Sequence, residues 1–68
     1  MGDTLLCVIV FVSEDGRWRV ECTAEAIRIF EQGSRGGLVL RYRCGTPGQL
    51  DAWLREHAGL QLADLRED

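Results

Sequence analysis

Lysine is absent from this 68-residue chain, and all eight of its basic residues are arginine. Eleven acidic residues outnumber them, so the formal net charge is −3. A nucleic-acid-binding domain needs a basic excess to neutralise phosphates, and this balance therefore argues against a nucleic-acid partner. The bias toward arginine is what a genome rich in G and C would give, so it carries little functional weight.

Long apolar runs are also missing. The most apolar stretch covers residues 5–12, which is too short to cross a membrane as a helix. Met1-Gly2-Asp3 lacks the basic n-region of a secretory signal peptide. We therefore expect no membrane partner and a location in a bacterial cytoplasm.

The motifs that bind metals and cofactors are missing too. Three cysteines without a CxxC spacing form neither a zinc site nor a disulfide framework. Cys7, Cys22 and Cys44 are instead expected to be reduced and buried in strands. Gly36-Gly37 is not followed by the GK[ST] of a phosphate loop. We expect no metal and no cofactor.

The apolar stretch 5–12 is mostly β-branched or aromatic and predicts a strand that is buried on both faces. Asp15-Gly16 then predicts a type I′ hairpin turn into a second strand. This loop places Val12 opposite Arg19 and Val10 opposite Glu21. The face expected to enter the core carries Cys7, Ile9, Phe11, Trp18, Val20 and Cys22.

The next segment has two interpretations. Thr23 can cap a helix over residues 24–32, in which the apolar residues recur at helical spacing. Alternatively, the second strand continues through Ala24 and Ala26 and a third strand follows. We favour the helix, because the segment starts with alanines and Arg28 joins Glu25, Glu31 and Gln32 as its polar residues.

The second half of the chain predicts a strand, a helix and a tail. Residues 38–44 alternate, so Leu38, Leu40, Tyr42 and Cys44 are expected on one face and Val39, Arg41 and Arg43 on the other. Thr46-Pro47 predicts the start of a helix over 47–57 that Gly59 ends. Leu50, Trp53 and Leu54 form its apolar stripe, and the alternation in residues 60–65 predicts a short edge strand.

These elements predict one small α+β domain over residues 1–68, with a mixed sheet and one or two helices in the order ββαβα(β). That order resembles the β-grasp fold of ubiquitin-like proteins, in which the first and last strands lie side by side in the centre of the sheet. Conjugation chemistry is not implied, because modifiers of that family end in Gly-Gly and this chain ends in Arg66-Glu67-Asp68.

A second resemblance is to the MbtH-like helpers of nonribosomal peptide synthetases, which are small acidic proteins with a sheet followed by a helix. It is carried by Gly37-Leu38-Val39-Leu40 and by residues 50–56. The Ser-Leu-Trp-Pro signature of that family is missing, and Trp18-Arg19-Val20 stands in its place.

Two residues could support a small enzyme or ligand-binding protein. His57, close in sequence to Asp51 and Glu56, could act as a general base. Cys44 could be reactive if a helix amino terminus lowered its pKa. However, no nucleophile at a recognisable spacing accompanies His57, and strand burial of Cys44 is the simpler interpretation. We therefore predict a protein that is not an enzyme.

The second face of the predicted sheet is the candidate protein interface. It combines an aliphatic stripe with four arginines: Val8, Val10, Val12, Arg17, Arg19, Arg41 and Arg43. Exposed patches of this kind mark interaction sites, and arginine is enriched among the residues that dominate binding. The expected function is non-catalytic protein binding, as an adaptor or accessory subunit. An acidic partner surface or a second copy would fit, and a small antitoxin-like regulator is an alternative.

Overall fold

The structure, a computed structural model, describes residues 8–68. Its strands are β1 (Ile9–Ser13), β2 (Trp18–Cys22), β3 (Ile27–Gln32), β4 (Leu38–Cys44) and β5 (Leu65–Glu67). They form one sheet in the order β4-β3-β2-β1-β5, and each neighbouring pair is antiparallel. The α+β class is thus confirmed, but the sheet is antiparallel rather than mixed.

One helical segment connects β4 to the end of the chain. The α-helix α1 (Pro47–Trp53) continues into a wider π-helical turn (Leu54–Ala58), and Gly59 ends it with a φ of 69°. The hydroxyl of Thr46 accepts a hydrogen bond from the Gln49 amide, as expected of a helix cap. The tail forms a 3₁₀ turn (Leu62–Asp64) before β5, so the final strand begins where the predicted one ends.

The first hairpin has the predicted register, with Val12 opposite Arg19 and Val10 opposite Glu21. Its turn type differs, because a type I′ turn needs a positive φ at both central residues and Gly16 alone has one in this loop. Asp15 instead accepts hydrogen bonds from the Ser13 hydroxyl (2.6 Å) and the Arg17 amide (3.0 Å). These bonds lower the pKa of the Asp15 carboxyl and close the loop.

The predicted helix over residues 24–32 is wrong, since this segment is a turn followed by β3. The Thr23 hydroxyl accepts hydrogen bonds from the Glu25 and Ala26 amides, as a helix cap would, but here it closes a turn. A helix cap and this turn use the same hydrogen bonds to the threonine hydroxyl, so the local sequence does not distinguish them. The strand prevails because five of its six residues pair with β2, and because Ile27 and Ile29 become buried.

Strand β4 occupies the predicted residues but does not alternate regularly. Ile29 lies opposite Tyr42 and Phe30 lies opposite Leu40, so Arg41 is an extra residue in β4. A bulge of this kind moves the preceding residues to the other side of the sheet. Leu38 and Leu40 therefore lie on the opposite face from Tyr42, contrary to the regular alternation expected from the sequence.

The helical segment packs on one face of the sheet, called the core face here. Leu50 and Leu54 from the helix and Trp18, Val20 and Ile29 from the sheet form one buried cluster. Phe11 and Cys22 are half-buried beside it, as expected of core-face residues.

The predicted burial of the first strand on both faces is wrong. Val8 and Ile9 are 47% and 46% exposed. Residues 5–7 of the predicted strand, including Cys7, lie outside the described residues. The order is four strands, a helix and a short strand, so a turn stands where the β-grasp resemblance implies a helix.

Candidate protein-binding face

The outer face is the side of the sheet opposite the helix, and two rows of directly paired residues define it. One row runs Val10, Glu21, Arg28, Arg43, and the other runs Val12, Arg19, Phe30, Leu40. Residues directly opposite each other in antiparallel strands project to the same side, so each row lies on one face. Arg66 joins the second row, because it lies opposite Val12 in β5.

No element of the described part of the chain packs on the outer face. The buried cluster consists of residues from the core face and from the helical segment. No residue of the two outer rows belongs to it. Val10, Val12 and Phe30 are half-buried by their neighbours, and Leu40 is 51% exposed. The helical segment therefore does not cover the valines, and the apolar stripe faces away from the core.

The charges of the outer face are positive overall, although the chain is acidic. Arg19 bonds to Glu21 in its own strand at 3.0 Å and lies 3.9 Å from Asp68. Arg28 and Arg43 lie directly opposite each other. Neither has a carboxylate oxygen within 4.0 Å among residues 8–68. Directly opposed like charges are unfavourable, so this pair concentrates positive charge beside Glu21, which lies opposite Arg28 and bonds to Arg19.

The predicted interface residues divide into two groups. Val10, Val12, Arg19 and Arg43 share the outer face, and Val8 is an exposed residue that precedes β1. Arg17 and Arg41 do not join them. Both bond to the carboxylate of Glu31, at 2.6 Å and 2.5 Å, and Glu31 lies opposite Trp18 on the core-face side.

Four outer-face residues were missed by sequence reasoning. Arg28 and Phe30 were assigned to a helix, and Leu38 and Leu40 to the core face. The alternation of Ile27, Arg28 and Ile29 in a β-branched segment could have indicated the strand. No such local signal predicts the bulge that places Leu38 and Leu40 on the outer face.

The two candidate chemical residues lie in different surroundings, since Cys44 is buried and His57 is exposed. Cys44 is buried, its thiol donates to the Thr46 carbonyl, and burial raises its pKa. A neutral buried thiol is a poor nucleophile. The ring of His57 stacks on Trp53, with 4.8 Å between the ring centroids.

The carboxylates near His57 do not form a catalytic pair with it. Asp51 bonds instead to Arg55 at 2.9 Å and to the Leu62 amide at 3.2 Å. Glu56 is 3.9 Å away and both side chains are exposed, so this contact is a surface ion pair at most.

An apolar cavity of about 280 Å³ opens between the sheet and the start of α1, and it involves neither His57 nor Cys44. Its lining residues are Phe11, Cys22, Ile27, Pro47, Leu50, Leu62 and Leu65. Within residues 8–68, no group of three or more His, Cys, Asp or Glu side chains is placed to hold a metal ion. The same part of the chain contains no helix that is long and apolar enough to span a membrane.

Comparisons of the chain with protein-family models, with curated proteins and with solved structures find no match. The outer face must therefore be interpreted from its own chemistry.

Proposed function

We propose that this chain is a non-catalytic protein-binding domain, an adaptor or accessory subunit, whose outer face binds an acidic and partly apolar surface of another protein. The observation that carries the proposal is the position of the helical segment. It packs on the core face and leaves an apolar stripe on the other side. Beside the stripe lie Arg28 and Arg43, which have no carboxylate oxygen within 4.0 Å among residues 8–68.

The composition of the outer face supports binding to a protein. Aliphatic and aromatic side chains supply the contact area, and arginine supplies hydrogen-bond donors that pair with carboxylates in a bidentate geometry. A central apolar stripe bordered by charge is the usual anatomy of a protein interface.

The charges favour a different protein over a second copy of this chain. In a two-fold symmetric dimer the same patch meets itself, and Arg28 and Arg43 of one copy would approach those of the other. The face carries four arginines and two carboxylates, so this approach is repulsive. An acidic partner removes the repulsion and compensates the opposed pair.

Two valine substitutions test the proposal. Val10→Asp places a charge on the outer face, where we expect the fold to survive and partner binding to fall at least tenfold. Val20→Asp places the same charge at a fully buried position of the core face. There a charge without a partner is costly, so we expect unfolding. Circular dichroism reports the fold of both variants.

The binding measurement uses a partner captured from host lysate by the tagged chain, then purified and titrated by calorimetry. The proposal predicts an affinity that falls as salt is raised, because exposed charges are screened. If Val10→Asp unfolds like Val20→Asp, the outer face is part of the core. If it stays folded and binds as tightly as the unchanged chain, the outer face is not the interface.

A further inference from the structure

Strand β4 forms one edge of the sheet, so one side of its backbone has no partner strand among the described residues. An edge strand presents amide and carbonyl groups in a row, and another extended segment can pair with them. Proteins usually protect such edges with prolines, charges, bulges or very short strands.

The two edges of this sheet differ in their protection. The edge strand β5 has three residues, two of which are charged. By contrast, β4 has seven residues without a proline, and it begins with three apolar ones. Leu38, Val39 and Leu40 are 47%, 52% and 51% exposed, which is unusual for three consecutive large apolar side chains.

The bulge at Arg41 limits where a strand could be added. It interrupts the regular pairing of β4 with β3 between Leu40 and Tyr42, and bulged edges bend away from a flat ladder. The stretch before the bulge therefore offers the regular edge, and the arginines lie at and after the bulge.

Charges near this edge define the kind of segment it would take. Arg41 shares the carboxylate of Glu31 with Arg17, so two guanidinium groups lie on one carboxylate. Arg43 faces Arg28, and neither has a carboxylate of the described chain within 4.0 Å. An added strand thus meets apolar side chains at one end of β4 and excess positive charge at the other.

We infer that the edge of β4 binds an extended acidic and apolar segment of a protein partner by strand addition. In this mode the backbone hydrogen bonds provide affinity, and the alternating side chains provide specificity. A second copy is a poorer occupant, because it would bring Arg41 and Arg43 to the same ladder. This inference rests on the proposed function and gives the same partner a second contact, at the sheet edge that borders the outer face.

A short peptide tests the inference directly. The probe is the acetylated and amidated hexapeptide Val-Glu-Val-Glu-Val-Glu, titrated into the intact chain and followed by amide NMR spectra. We expect shifts concentrated in β4 and slower hydrogen exchange of β4 amides. The matched Val-Lys-Val-Lys-Val-Lys peptide should bind at least tenfold more weakly, because its charges oppose the arginines.

A third peptide separates strand addition from simple charge attraction. It has the acidic sequence with every amide N-methylated, which keeps the side chains and removes the backbone donors. We expect at least tenfold weaker binding. Equal binding of the N-methylated peptide overturns strand addition, and so does a failure of the acidic peptide to bind. In either case the Val10→Asp result with the captured partner decides the proposed function independently.

Discussion

Leu54→Ala should lower the free energy of unfolding by about 2–5 kcal/mol, the usual range for a buried leucine that leaves a cavity. Leu54 is fully buried and belongs to the cluster that joins the helix to the core face. A single core in a chain of this size supplies only about 3–5 kcal/mol. The variant should therefore be largely unfolded at room temperature, as measured by circular dichroism during chemical denaturation.

Leu40→Ala is the matched control, because it removes the same atoms from the outer face. Leu40 is about half exposed, so we expect a loss below about 1 kcal/mol. Comparable losses in the two variants would mean that both faces of the sheet are buried. That result would contradict the assignment of the core to one face.

Arg43→Glu should raise stability and abolish partner binding in the same molecule. The substitution replaces two opposed like charges, Arg28 and Arg43, with an opposite-charge pair. Cross-strand pairs of opposite charge contribute about 0.2–1 kcal/mol, and like charges cost a similar amount. We therefore expect the free energy of unfolding to rise by a few tenths to about 1 kcal/mol, and the gain should shrink at high salt.

The same substitution should weaken binding of the partner. The new carboxylate repels an acidic partner and also neutralises Arg28, so the affinity should fall at least tenfold. Arg35→Glu is the control, since it makes the same change of net charge in the exposed loop before β4. It should change stability by less than about 0.5 kcal/mol and leave binding nearly unchanged.

A rise in the free energy of unfolding together with lost binding would show that the Arg28–Arg43 pair serves binding and does not stabilise the fold. Loss of stability in Arg43→Glu would show that Arg43 is compensated in solution. Unchanged affinity would show that the outer-face arginines are not part of the interface.

Sequence reasoning succeeded where the deciding interactions are local. Asp15-Gly16 fixed the hairpin position, so the register of β1 and β2 followed by counting. Thr46 and Gly59 bounded the helical segment, because capping depends on a few neighbouring residues.

Sequence reasoning failed where the structure of a segment depends on pairing with residues far away in the sequence. The segment 24–32 satisfies both a helical and an extended pattern, and pairing with β2 selects the strand over the helix favoured from the sequence. The bulge at Arg41 arises where β4 pairs with β3, and it places Leu38 and Leu40 on the outer face. The outer-face positions of Leu38 and Leu40 therefore depend on pairing that no local pattern encodes.

The measurement that tests the central claim most directly is methyl NMR of the intact chain with a dissolved paramagnetic relaxation agent, with and without the captured partner. The agent should broaden the methyl signals of Val12 and Leu40 strongly in the free chain, and the partner should protect them. The signals of Val20 and Leu54 should stay sharp in both samples. Protection of Val12 and Leu40 in the free chain, or equal broadening in the complex, would contradict the outer face as the binding surface.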